Sequence, residues 1–567
     1  MKLIPDIIFK NRTFTVELVP KTLPDVRKES AVLNVPKACA LVKSIALGHH
    51  IPREDLSRPI VKRKAFSNEL PPLNHSQFQA VDKALNSTFT LIQGPPGTGK
   101  TVVGVYILLC FLEINKENPR KVIIDDKDKD KKEVILYCGP SNKSVDVVAE
   151  YMLKFEDNLR ALRVYSEQVE NCDYPYPESV LQFSTKTRPE RSKNSLRKIT
   201  LHYCMREDSN PHSGEIKAWD KRIQAAIAAK KPFTAEEVKK FRKLLVKARK
   251  YELERHDIIL CTCTQSSTPG LMRAVSARQI LIDECAMATE PQALIPLVSY
   301  NPEKIVLIGD HKQLRPVVIN DRVRKLGMSK SLFERCYTQL EKRSVMLDTQ
   351  YRMHKDICKF PSEEYYEGKL QTGVEQRSSV LRVDKKTMPV VFGHVIGTTV
   401  RQVVSSSKGN ENSKANREET QIVVAIAKKL TRNAKIAQKE IVVLSPYNAQ
   451  VFEIKEALKK EELKDVNVNT ITTSQGSEWR YVIISTVCSL PSNEIMSEPD
   501  GSWLSKHVGF VGDANQINVA ITRAKEGLCI IGNQELLNCS GAWTKLLNHY
   551  KRHNAVTDAE KISVCQL

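Results

Sequence analysis

The 567-residue chain contains no C-x-x-C pair; its closest cysteines are Cys261 and Cys263, and the rest of its 14 are scattered. Neither a zinc site nor a disulfide framework follows from that spacing, and reduced, buried thiols fit an intracellular protein, nuclear or cytoplasmic. No apolar run approaches the ~20 residues of a membrane span; the longest is Val102–Leu112. The N-terminus, MKLIPDIIFK, puts Pro5 and Asp6 where a secretory signal keeps an apolar core. No membrane partner is expected. Acidic residues are in deficit, 66 Asp+Glu against 87 Lys+Arg, giving a net charge of +21 and a pI near 9.3. Such an excess asks for a polyanion, with single-stranded RNA or DNA the first candidate. Apolar residues (41%) and charged residues (27%) exclude a wholly disordered chain.

Residues 1–70 carry no repeat or chemical motif and read as a flanking segment, with room for part of a truncated domain, ending in the basic linker Arg58–Lys64. From Phe89 an α/β rhythm begins. Val- and Ile-rich runs at Ser87–Gln93, Val134–Cys138, Ile258–Cys261, Ile280–Ile282 and Lys304–Ile308 form one series. Runs at Ile441–Leu444, Val468–Ile471, Tyr481–Thr486 and Leu528–Ile531 form a second. Strands without clean alternation suit parallel sheets covered on both faces, so two doubly wound domains are expected. Their limits are set at 71–345 and 346–550, with an insertion over 150–256, a polar loop over 400–420 and a polar tail over 551–567. Asp125–Glu133 reads as a solvated loop.

The insertion is basic: residues 186–250 hold 19 Lys/Arg and 7 Asp/Glu. Thr234 and Glu237 form a capping box, and Val238, Phe241, Leu245 and Ala248 an apolar stripe. Lys239, Lys240, Lys243 and Lys247 cover the other faces, either as a solvated surface or as one that tracks phosphates.

Gly94-Pro95-Pro96-Gly97-Thr98-Gly99-Lys100-Thr101 satisfies G-x-x-x-x-G-K-[ST] between a strand and a helix. Its amides suit a β-phosphate, Lys100 the β/γ oxygens, and the Thr101 hydroxyl Mg²⁺. A second strand ends in Asp283-Glu284, one carboxylate for the Mg²⁺ shell and one to deprotonate water. Together these make a nucleoside triphosphate and Mg²⁺ the expected ligands, the former being ATP by the resemblance given below. Gln313, at a third strand tip, can sense a γ-phosphate. Arg352 and Arg523, in or beside the second series, can stabilise charge across a cleft.

In order, LNHSQ (Leu73–Gln77), GPPGTGKT, GPSNKSVD (Gly139–Asp146), CTCT (Cys261–Thr264), DECA, GDHKQLRP, QYRMH (Gln350–His354), SPYNAQ, SQGSEW and NVAITRAK (Asn518–Lys525) resemble superfamily 1 helicases of the RNA-surveillance branch. The resemblance runs from about residue 73 to 535. It implies α/β architecture with two tandem RecA-like P-loop domains, the basic, partly helical insertion lying in the first. It also implies roles: Gln77 for adenine, Tyr351 and Glu478 beside the nucleotide, Arg352 and Arg523 as arginine fingers, Gln313 as coupler. Ser141, Asn142 and Thr262 would line a single-strand path. The activity implied is ATP-driven movement along one strand of RNA or DNA. LDTQYRMH, GNENSKAN and SQGSEWRYV further resemble the helicase module of a large nuclear-receptor coactivator, which implies nuclear receptors or other transcription factors as partners of a longer protein. Rival readings are an ATP-driven ribonucleoprotein clamp or remodeller with little unwinding, and a coactivator scaffold. Against the scaffold, the four Leu-Leu pairs are preceded by Val105, Phe241, Asn533 and Trp543, so no L-x-x-L-L occurs. One departure concerns the residues ahead of Asn518, where many relatives carry two arginines and this chain reads Asp513-Ala-Asn-Gln516-Ile.

Overall fold

A computed structural model describes residues 21–51, 70–118, 131–155, 159–178, 190–340, 343–375, 378–406 and 409–565. The linker Arg58–Lys64 and most of the Asp125–Glu133 run lie outside them.

The first lobe is a seven-stranded sheet of β1 (Phe89–Gln93), β2 (Lys132–Gly139), β3 (Ala161–Val164), β4 (Ile258–Thr262), β5 (Val275–Ile282), β6 (Lys304–Gly309) and β7 (Ser344–Met346), in spatial order 3-4-2-5-6-1-7. Every pairing is parallel. In β1 to β6 residues on both faces are buried, which explains the near-continuous Val/Ile runs. Short strands β8 (Thr349–Gln350), β9 (Gln371–Thr372), β10 (Leu381–Val383) and β11 (Lys386–Thr387) lead to the second lobe. Its parallel sheet holds β12 (Val390–His394), β15 (Ile441–Ser445), β16 (Asn467–Thr470), β17 (Trp479–Ser485), β18 (Ala524–Gly532) and β19 (Val556–Asp558), in order 16-15-17-18-12-19. Between β12 and β15 stands the antiparallel hairpin β13 (Thr399–Ser406) and β14 (Gly409–Asn416).

Five expectations are corrected by this architecture. Residues 1–70 are not merely flanking: helices α1 (Leu23–Asn34) and α2 (Ala40–Leu47) bury Ala31, Val42 and Ile45 in the same core as Phe89 and Leu91. The first lobe extends past 345, because Val345 and Met346 pair with Ile92 and Gln93. The insertion is shorter than 150–256, because Ala161–Val164 is an edge strand of the main sheet. The charge of Arg163 hides that strand in the sequence. The guanidinium is fully buried and held by Asp146 at 2.8 Å and Asn142 at 2.9 Å. The polar loop at 400–420 is the β13–β14 hairpin followed by the helix Arg417–Arg432. The polar tail at 551–567 supplies β19, which closes the second sheet, and the strand Ser563–Val564 beside β10. The 400–420 segment carries few apolar residues because its hairpin lies outside the main sheet.

Among the described residues no single helix is long and apolar enough to cross a membrane. The second lobe also buries an acid, Glu419, which accepts from Ser485 Oγ at 2.6 Å and the Val487 amide at 2.9 Å. Burial lifts it from 4.5 to about 7 against those donors. The fold therefore favours the neutral acid, and its contribution is complete at low pH and declines as pH rises through the window from 4.5 to about 7. Glu419→Gln, locked neutral, should lose that part of the fall in thermal midpoint seen between acid and neutral pH, as read by calorimetry.

Candidate nucleotide site between the lobes

Helix α3 (His75–Asn86) leads into β1, and the glycine loop leaves β1 and enters helix α4 (Lys100–Glu117). Gly97 and Gly99 take left-handed angles, φ +76° and +81°, and a Cβ on Gly94 would stand 2.0 Å from Lys100 Cγ. Only glycine permits that path, which aims backbone amides and a helix N-terminus at one spot. Pro95 and Pro96 are buried beneath it, and Thr98 Oγ1 donates to Pro95 O at 2.8 Å. Lys100 Nζ donates to Gly94 O at 2.8 Å and lies 4.0 Å from Glu284 Oε1. Thr101 sits in the first turn of α4.

At the end of β5, Asp283 is buried, accepting from Tyr137 Oη and from the Glu284 amide, each at 2.7 Å. Burial first, and the Glu284 charge second, raise its pKa to about 6. A buried carboxylate short of positive charge beside a phosphate cradle fits a hard cation such as Mg²⁺, held by Asp283 and Thr101. Glu284 takes φ +50°, a conformation costly for a residue with a Cβ. It stores strain where the carboxylate must project.

The second lobe reaches this loop directly. The Tyr351 amide donates to Gly97 O at 2.8 Å, and a Cβ on Gly97 would stand 2.7 Å from Arg352 Cβ. Arg352 donates to Glu478 Oε2 at 2.6 Å and Thr522 O at 3.1 Å. Against desolvation, Arg352 and then Lys525 draw Glu478 down to about 2. Arg523 is 1% exposed and donates to Gln313 Oε1 at 3.4 Å and Ser477 O at 3.3 Å. Gln313 in turn donates to Asp310 at 2.7 Å. Burial, and then the neighbouring Arg352, push the Arg523 guanidinium below its usual range. Unlike Arg352, Arg523 has no carboxylate among its hydrogen-bond partners within the described residues, and a polyphosphate would supply the anion. Glu284 closes the circle, accepting from Gln475 Nε2 of the second lobe at 3.1 Å.

Thus Lys100, Glu284, Gln313, Arg352 and Arg523 converge on one cleft. Gln77 is placed differently from a free adenine reader. Its Oε1 accepts from the Asn74 amide at 3.0 Å and its Nε2 donates to Thr98 O at 3.0 Å, so in this structure it fastens its helix to the glycine loop. The Tyr351 ring is exposed, with its hydroxyl accepting from Asn74 Nδ2 at 2.8 Å. Asp310, Tyr366 and Asn518 join this site without having been expected in it. Tyr366 Oη donates to Asp310 at 2.7 Å and accepts from Asn518 Nδ2 at 3.0 Å. Asp310 lies in the GDHKQLRP run and Asn518 opens NVAITRAK; Tyr366 carries no local signal, because its partners are distant in sequence.

Gly139 and Thr262 are paired across β2 and β4, so Ser141, Asn142 and Thr262 share the carboxyl edge of the first sheet. Ser141 caps helix α5 (Asn142–Met152) and Asn142 holds Arg163. Arginines of the insertion serve the fold: Arg206 pairs with Asp220, Arg242 with Glu167 and Glu178, and Arg249 with Glu170. Lys239, Lys240, Lys243 and Lys247, on the helix Ala235–Arg255, are exposed and form no ion pair among the described residues.

Residues 72–321 and 328–535 each match a family described as an AAA domain. The chain is 47% identical to the human 3'-5' exoribonuclease HELZ2 over 100% of its own length and 20% of that protein's. It is 31% identical to Regulator of nonsense transcripts 1 of Caenorhabditis elegans, covering 95% of this chain and 45% of the relative. It is 30% identical to ATP-dependent helicase NAM7 of Saccharomyces cerevisiae, covering 92% and 48%. The chain therefore spans a fifth of the human relative and under half of the other two. Two AAA domains in tandem, with Arg352 and Arg523 of the second lobe set against Gly97 and Gln313 of the first, place this chain in the superfamily 1 helicases of the nonsense-mediated-decay type.

Proposed function

We propose that the chain is an ATP-driven translocase on single-stranded nucleic acid, RNA by preference, that converts hydrolysis between its lobes into movement along the strand. The observation that carries the reading is the contact of two arginines of the second lobe with the phosphate machinery of the first: Arg352 against Gly97, and Arg523 against Gln313. Lys100 and the loop amides hold the β/γ-phosphates. Glu284 takes a proton from water as its oxygen bonds to the γ-phosphorus and the bond to the bridging oxygen breaks, releasing ADP and phosphate. Mg²⁺, when bound at Asp283 and Thr101, neutralises phosphate charge. Arg352 and Arg523 stabilise charge on the departing phosphoryl group. Loss of the γ-phosphate removes what both lobes grip, so the edge carrying Ser141, Asn142 and Thr262 shifts relative to the second lobe.

Work within a longer, intracellular coactivator that meets transcription factors belongs to the same proposal, supported by the resemblance of LDTQYRMH, GNENSKAN and SQGSEWRYV. ATP turnover measured with single-stranded RNA, single-stranded DNA and neither tests the core reading. Stimulation by RNA supports it; turnover indifferent to both strands overturns it. Strand displacement on a tailed duplex separates a translocase from a clamp. Replacing Lys239, Lys240, Lys243 and Lys247 by Gln should reduce the slope of log affinity against log salt by up to about 3, if each meets a phosphate. An unchanged slope returns that helix to a solvated face.

A further inference from the structure

Lys143 is the second residue of α5, directly after Ser141 and Asn142, yet its ammonium crosses to the other lobe. Nζ donates to Thr473 O at 3.0 Å, Gln475 O at 2.9 Å and Ser477 Oγ at 2.9 Å. These acceptors use all three N–H donors of one point charge. The residue as a whole stays accessible to solvent, but its tip is desolvated enough, with Arg523 also nearby, to lower its pKa.

The segment Thr473–Ser477 is a junction. Gln475 Nε2 donates to Glu284 Oε2 at 3.1 Å, and Arg523 Nη1 donates to Ser477 O at 3.3 Å. Gln475 Oε1 is buried without a partner among the described residues, leaving an acceptor beside the base. One lysine at the strand-facing edge therefore fixes the segment that holds the base and touches one arginine finger.

Resting on the ATPase reading above, we propose that Lys143 is a positioning residue: it fastens Thr473–Ser477 to the strand-binding edge so that Gln475 orients Glu284, making hydrolysis conditional on the two lobes meeting there. The coupling runs in both directions. A strand that orders Ser141 and Asn142 steadies Lys143 and with it the base, while separation of the lobes withdraws Gln475 from Glu284. ATP affinity does not pass through this route, because the glycine loop is built within the first lobe.

Lys143→Met should lower kcat of strand-stimulated hydrolysis by about 10- to 10²-fold, the larger figure being that of a 1 Å misplacement of a reacting group. KM for ATP should change less than about two-fold, and the thermal midpoint should hold. Lys143→Arg should fall short in the same way, since a planar guanidinium keeps the charge but does not reproduce a tripod of donors. Combined with Gln475→Ala, the loss should be no greater than that of the worse single variant, as expected for two residues in one route. Full kcat in Lys143→Met, or losses that multiply, would overturn the proposal. If Lys143→Met fails to fold, Ser477→Ala removes one of the three acceptors and should give a smaller loss of kcat with the same unchanged KM; unchanged kcat there overturns it equally. Wild-type turnover that no strand stimulates would sink the translocase reading instead, and the same variants then test the coupling through basal kcat.

Discussion

Glu284→Gln is expected to bind ATP and to hydrolyse it about 10²–10⁴ times more slowly, the range for loss of a general base. The amide keeps the shape of the side chain and an oxygen that can accept from Gln475 Nε2, so the interlobe contact survives. The left-handed backbone at residue 284 also remains, because both side chains carry a Cβ. What is lost is the capacity to take a proton from water. Lys100 and the loop amides are untouched, so nucleotide binding measured by fluorescence or calorimetry should persist. Single-turnover hydrolysis at the wild-type rate would remove Glu284 from the reaction.

Arg523→Ala should be comparably severe, near the ~10³ lower end for removal of an arginine finger, with a thermal midpoint close to wild type. The expectation of mild structural cost comes from electrostatics. Arg523 is buried beside Arg352 and held below its usual pKa, so its charge is an expense to the nucleotide-free fold. Truncation relieves that repulsion, offsetting part of the cavity it opens. Single-turnover hydrolysis and thermal unfolding, measured on the same preparation, separate the outcomes. A large drop in stability with hydrolysis intact would make Arg523 a structural pin.

Arg163 and the two strands near the end of the chain show where local pattern stops informing. Arg163 makes β3 look polar and exposed, but Asp146 and Asn142 neutralise and hydrogen-bond it inside the sheet. Val556–Asp558 and Ser563–Val564 look like the polar end of a chain, and they find strand partners more than 160 residues earlier. Each depends on a partner supplied by distant sequence, and periodicity carries no trace of it. At Gln77 the resemblance implies a contact with adenine, and the structure adds what the sequence does not carry: both ends of its amide are bonded to Asn74 and Thr98.

The sequence alone determined the architecture of two parallel sheets, the glycine loop with its tandem acids, and the arginines available to complete them. Those features are local: buried parallel strands need apolar runs, and a phosphate turn needs glycine at fixed spacing. Only the tertiary structure decided which of these groups meet. It joined Arg523 to Gln313, set Arg352 against Gly97, and brought Gln475 and Lys143 across from opposite lobes. The reason is physical: charge placement in a cleft is fixed by how two independently packed cores dock, and docking depends on surfaces assembled from residues hundreds of positions apart.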